Sequence, residues 1–195
     1  MRLKLMQTGI VALLSLSTFV ATAQTSGELT FTPDAAGSAV TFSLDATMHT
    51  VHGTFALKKG SIHLFPESDK ISGEIVLDAT SAKTGIDARD HKMHSEIIES
   101  DKYPEITFVP VHVEGKIATQ GKSTVQIHGV FTMRGTQHEM TVPTDIDISP
   151  DHWLATSHFA IPYVQWGMKD PSNFLLHVKD TVQIEAKLSG TAPSK

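Results

Sequence analysis

Apolar and polar residues alternate along most of this chain with a period of two, the mark of strands that bury one face. The clearest run is Ser38–Met48, where Val40, Phe42, Leu44, Ala46 and Met48 point one way and Thr41, Ser43, Asp45 and Thr47 the other. A short strand over Gly27–Thr32 precedes it, ended by Pro33-Asp34. Val51, Gly53, Phe55 and Leu57 repeat the pattern, with Gly53 at a bend or bulge and Lys58-Lys59-Gly60 as a turn. Ser61–Phe65 is a further strand, and Ile71, Gly73, Ile75 and Leu77 alternate after it. Ile106 and Phe108 share a face, but Val111 and Val113 sit on odd numbers, so a β-bulge is expected at Pro110. Val125, Ile127, Gly129, Phe131 and Met133 run up to a tight turn at Arg134-Gly135-Thr136. Met140–Val142 and Ile146–Ile148 flank Pro143, which predicts an edge or bent strand. Trp153–Tyr163 follows, with Phe159, Ile161 and Tyr163 in register, then an irregular connection over Gln165–Asn173. The last strand is read as Phe174–Leu188, with Val182, Ile184, Ala186 and Leu188 in phase.

One stretch breaks the period. Between Lys83 and Pro104, Met93, Ile97 and Ile98 fall on one face at helical spacing. Asp87 is placed to cap the first turn, with Asp90 three residues on, and Tyr103-Pro104 ends the helix. Arg89 and Asp90 lie one turn before Met93 on nearly the same face. A charge pair entering an apolar stripe is costly unless it is satisfied. The pair therefore either ties the helix to a neighbouring strand or stands at the rim of a pocket that the helix covers.

Strands joined by hairpin-length links, about eight to ten of them, with one inserted helix, predict an all-β antiparallel barrel or sandwich. The barrel is preferred because closure removes exposed edges, and a barrel of about eight strands has room for one ligand. The inward stripes are almost wholly Phe, Met, Leu, Ile and Val. Such a lining is either a solid core or an apolar cavity, and the pattern alone does not choose.

The N-terminus stands outside the pattern. Basic Met1-Arg2-Leu3-Lys4, an apolar run around Ile10–Leu16 and Ala21-Thr22-Ala23 read as a secretory signal peptide, residues 1–23, cut after Ala23. The run is too short and too broken by Ser and Thr to span or anchor in a membrane. The expected location is the periplasm or outside the cell, with one domain over residues 24–190 and a flexible tail over 191–195. The absence of cysteine excludes disulfides and lipoprotein acylation. A net charge of −5, spread without blocks, gives no basic surface for nucleic acid.

Candidate chemistry is sparse. There is no cysteine nucleophile, no Gly-rich phosphate loop and no Ser framed by glycines, so no catalytic residue, cofactor or metal ligand is assigned. The alternative is a histidine-dependent metal protein. His49 with His52 and His91 with His94 are two pairs spaced three apart, and their convergence would suit zinc or copper. His138, His158 and His177 are isolated along the strands.

Thr84-Gly85, Arg89-Asp90, Met93-His94 and Tyr103–Phe108 occur in that order. Val51–Phe55, His128–Gly135, Trp166-Gly167-Met168 and Val182-Gln183-Ile184 add to the series. On these motifs the chain resembles the YceI family, from about Phe31 to Gly190. The resemblance implies an extended eight-stranded, lipocalin-like barrel with a helix over one end. It also implies a long apolar guest inside, an isoprenoid or other lipid such as a quinone tail, and no catalysis. A homodimer is compatible with it. The chain departs from the commonest pattern over Ile161–Gly167, which carries no arginine. Candidate wall residues are Phe42, Leu44, Met48, Phe55, Leu57, Ile75, Leu77, Met93, Ile97, Phe108, Ile127, Phe131, Met133, Phe159, Ile161, Tyr163, Trp166 and Ile184. Arg89, Asp90 and His94 are the candidate rim.

Overall fold

In the structure, a computed structural model, residues 27–193 are described apart from 67 and 69. The expected signal peptide lies outside the described residues. Among the described residues nine strands form: β1 (Leu29–Phe31), β2 (Ala39–Asp45), β3 (Thr50–Leu64), β4 (Ile71–Lys83), β5 (Glu105–Glu114), β6 (Gly121–Met133), β7 (Thr136–Ile148), β8 (His152–Ile161) and β9 (Val182–Thr191). A short helix, α1 (Asp87–Lys92), continues as a π-helical stretch, Met93–Ile97. All neighbouring strands are antiparallel, in the order β2-β9-β8-β7-β6-β5-β4-β3, and β3 also pairs with β2. The result is a closed eight-stranded antiparallel barrel. β1 stays outside the ring and extends the edge of β3 through Leu29–Leu64 and Phe31–Ile62.

Bulges set which residues face in. At Pro110 the register of β5 on β6 slips by one, as expected, and Val113 turns inward; Val111 is itself the extra residue and stays exposed instead of sharing the face of Val113. β3 slips against β4 on both sides of Leu57, so its inward residues change from Val51 and Phe55 to Ile62 and Leu64. Gly53 lies opposite Phe42, whose ring occupies the space a side chain would take: an added Cβ would stand 2.2 Å from Cζ of Phe42. β7 runs as one strand through Pro143. Its pairing with β8 begins at Thr144, so Pro143 and the residues before it lie along a stretch that β8 does not cover. The missing N–H of proline is tolerated there. The last strand starts at Val182, eight residues later than expected, because the chain over 174–181 is a loop.

The two ends of the barrel differ. At one end Leu29, Phe31, Leu64, Ile71, Val113, Val125, Ile146, Ile148 and Trp153 pack into a plug. The ring of Trp153 stands edge-on to Phe31 at 5.4 Å. At the other end the chain piles the helix, the β6–β7 turn and the loop over 162–181. Arg134 and Gly135 both take positive φ in a two-residue turn. Arg134 forms an ion pair with Glu99 and donates to the carbonyl of Gly167 at 2.8 Å, pinning turn, helix end and loop to one another. Glu99, at φ 47, ends the helical segment well before Tyr103-Pro104, which was expected to do so.

The start of the helix also differs from expectation. Asp87 makes no cap; Ile86 holds the N-cap position without a side-chain bond. Asp90 instead reaches back to accept hydrogen bonds from the Thr84 N–H, at 2.8 Å, and from its hydroxyl. Arg89 donates to Thr84 as well, from Nε to Oγ1 at 2.7 Å and from Nη2 to the carbonyl at 3.1 Å. Both charged residues thus tie the helix to the segment leaving β4. Burial tends to raise the pKa of Asp90, but hydrogen bonds from Thr84 and Gly85, with Arg89 beside it, together hold it below the usual carboxylate value.

Two outcomes follow from this framework. Gly53→Val forces the Phe42 ring and the backbone of β4 apart, and urea unfolding should show a loss of about 1–3 kcal/mol. Thr84→Val removes a donor to Asp90 and an acceptor for Arg89, and should cost about 1 kcal/mol at neutral pH. Because the folded-state pKa of Asp90 is lowered, its contribution is present above the unfolded value and disappears as pH falls through the folded one. Melting temperatures of wild type and Thr84→Val should therefore converge in strongly acidic solution.

Candidate functional site

The inward stripes do not meet across the middle of the barrel. They enclose a cavity of about 650 Å³, within the range of small-molecule sites. Leu44, Phe55, Ile75, Leu77, Phe108, Ile127, Phe159 and Ile184 all face it, and each is only half-buried because its free surface looks into the void. Phe42, Phe131, Met133, Ile161 and Tyr163 complete the expected wall, and Met93 and Ile97 reach it from the helix. Phe131 stands 6.4 Å from Phe159 and close to perpendicular, so this part of the wall is aromatic.

Several of the polar wall groups are already paired, whereas the Trp153 indole N–H is buried without a partner. Thr144, buried, and Ser157 share a hydrogen bond of 2.9 Å. The Tyr163 hydroxyl donates to the Lys179 carbonyl at 2.9 Å. Burial, aided by the nearby charges of Asp170 and Asp180, pushes its pKa up to about 12, so it stays neutral and the wall gains no anion. The interior therefore offers contact to hydrocarbon and little to a charged group.

The cavity opens at the helix end. Its exposed wall residues, His49, Ile86, Lys92 and Asn173, all lie there, and Arg89, half-buried, joins them. Ala46, Pro171 and Leu176 line the same opening. The mouth is thus framed by the β2–β3 turn, the helix and the loop between β8 and β9.

Five expected site residues lie off the wall. Met48 sits at the β2–β3 turn with its side chain in solvent, because the alternation of β2 ends at Asp45. Leu57 falls at the double slip of β3 and leaves the inward set. Trp166 stacks on His138 at 3.9 Å with the rings 3° from parallel, and stands 5.7 Å from Phe131. Trp166 therefore packs behind the wall, against the part of β7 that β8 does not cover. Asp90 is held by Thr84 away from the opening. His94 bridges the helix to β4: one ring nitrogen lies 2.8 Å from the Ala82 carbonyl and the other 2.8 Å from the buried Ser100 hydroxyl. Among the described residues no three His, Asp or Glu side chains gather closely enough to hold a metal ion.

Other wall residues were missed. Val40, Val51, Ile106, Val142, Ile146, Val182, Ala186 and Leu188 line the cavity and carry the same alternation as those named, so the signal for them was present. Leu176 and Val178 share the even-numbered phase of the strand read over Phe174–Leu188, and they line the cavity from a loop instead.

The architecture has known counterparts. A polyisoprenoid-binding domain from Saccharophagus degradans, implicated in plant cell wall breakdown, superposes with a TM-score of 0.68 at 18% identity, over 83% of this chain and 98% of that one. BcnA of Burkholderia cenocepacia gives 0.66 at 18% identity, over 82% and 99%. A Campylobacter jejuni YceI protein gives 0.59 at 18%, over 76% and 88%. No curated protein matches at the level of sequence. The model of the YceI-like domain matches residues 31–189, nearly the whole barrel. The plug, the covering helix and the oily interior thus belong to a member of the YceI-like family.

Proposed function

We propose that this protein is an exported, non-catalytic carrier that holds a long-chain isoprenoid or similar lipid tail inside the barrel, for storage, transport or protection under stress. The observation that carries the reading is the apolar cavity of about 650 Å³, whose exposed wall residues lie at the helix end. At roughly 30 Å³ per water-sized unit, a value close to that of a methylene, the cavity takes a chain of about twenty carbons. The polyisoprenoid-binding description of the S. degradans domain supports the same class of guest.

Magnitudes favour an apolar tail over a polar ligand. Each enclosed methylene is worth roughly 0.8 kcal/mol, so ten of them reach about 8 kcal/mol, the scale of micromolar affinity before the cost of association is subtracted. A charged head group has no such gain inside, and its place is at the mouth, where Arg89 and Lys92 stand.

Native mass spectrometry of protein purified from its own host should show a bound apolar species released on denaturation. Protein that is consistently empty would count against the reading. Ala186→Trp places a large ring in the void from a wall position, and should cut the affinity for cis-parinaric acid at least tenfold, while a stability change within about 3 kcal/mol shows that the barrel still folds. Unaltered binding of the probe by that variant would place the guest elsewhere.

A further inference from the structure

Three large apolar side chains project into solvent beside the cavity mouth. Phe174 is 99% exposed, Met48 89% and Leu175 84%. Met48 comes from the β2–β3 turn and the other two from the β8–β9 loop, yet the two tips are bound into one unit. The Thr47 N–H and hydroxyl donate to the His177 carbonyl at 2.9 and 3.1 Å, and the His177 N–H lies 2.9 Å from the Thr47 hydroxyl oxygen. A bridge between Ala46 and Val178 adds to the tie. The Phe174–Leu175 tip is shaped from within: the Asn173 carboxamide accepts from the N–H groups of Leu175 and Leu176 at 2.9 and 3.0 Å. The side chains are therefore held outward by a built turn.

We propose that these tips are a docking surface for a phospholipid bilayer, where they enter the boundary of the acyl chains and set the cavity mouth against the lipid. The proposal rests on the reading of the barrel as a carrier of an apolar chain. Its first support is continuity. His49, next to Met48, and Asn173 and Leu176, flanking Phe174 and Leu175, are themselves walls of the cavity. Inserted tips would give a guest an oily path between bilayer and barrel without crossing water. The second support is size. Three side chains at about 150–200 Å² each offer about 500 Å², less than the roughly 800 Å² per partner that a stable protein interface buries. Single prongs of this kind suit a fluid surface better than a fitted one.

Charge around the tips is arranged to permit the approach. Lys179 pairs with Asp45 at 2.8 Å beneath the loop, and Lys169 pairs with Glu96 of the helix, so these four charges cancel locally. Asp170 faces the Ser172 N–H, and Asp180 lies beyond Lys179. Lys92, exposed on the mouth, takes part in none of the ion pairs among the described residues and is positioned for a lipid phosphate. The bilayer contact is thus mainly apolar, with a cation at its margin.

The test uses the full chain and vesicles of phosphatidylethanolamine and phosphatidylglycerol. In Phe174→Trp the introduced indole should shift to shorter wavelength and be quenched by lipids brominated along the acyl chains. Taken as the difference from wild type, whose Trp153 and Trp166 also emit, this signal reports on position 174. The triple variant Met48→Ser/Phe174→Ser/Leu175→Ser should lose about tenfold or more in vesicle partitioning while binding cis-parinaric acid as wild type does. An indole that stays unquenched, or a triple variant that partitions like wild type, overturns the proposal. So does self-association, or binding to a partner protein, that the triple variant abolishes while vesicles leave the indole unquenched. Loss of probe binding by wild type with quenching retained would reject the carrier reading and leave the docking surface standing.

Discussion

The structure depends on a closed ring of eight strands whose inward side chains are too short to meet. A filled interior would make the barrel a solid core; instead, opposite walls stay apart and leave about 650 Å³ between them. Left empty, an apolar void of that size forfeits on the order of 10 kcal/mol of packing, comparable with the whole stability of a domain. The packed plug at one end and the long paired strands around the ring carry the fold. An apolar guest would recover much of what the void gives up.

The ring holds because several local devices agree with closure. Bulges at Pro110 and around Leu57 turn the strands and change which residues face in. Phe42 covers Gly53, and Phe108 covers Gly129, so aromatic rings fill the space that the glycines leave. At the mouth the helix is fixed at both ends, by Thr84 to Asp90 and Arg89 at its start and by Glu99 to Arg134 at its finish. A π-helical stretch lets Met93, Ile97 and Ile98 all reach the cavity, whereas His94 turns to β4 and Ser100. One end of the cavity is therefore sealed by packing and the other by a held but incomplete cover.

Much of this was legible in the chain. Alternation over Val40–Leu44, Val125–Met133 and Val182–Leu188 named strands and inward faces because a half-buried strand has no other way to satisfy both its sides. The slip at Pro110 was readable for the same reason: two sets of apolar residues out of phase require one extra residue between them. Met48 and Leu57 were misplaced because alternation carries no mark of where a strand stops or where its partner slips. Trp166 and His94 were misplaced because a large aromatic or a histidine serves equally well on a wall or behind it. Its position depends on neighbours far away in sequence, His138 for one and Ala82 for the other.

The sequence by itself determined the class of fold and the oily character of its interior, since both follow from local period and residue type. Whether those oily faces would touch was decided only by the tertiary structure. It depends on how far apart eight strands stand once the ring is shut, and closure is a property of β3 meeting β4 and β2 at once. The position of the opening was likewise decided there. His49, Ile86, Lys92 and Asn173 share no motif or period, and become neighbours only when a turn, a helix and a loop arrive at the same end of the barrel.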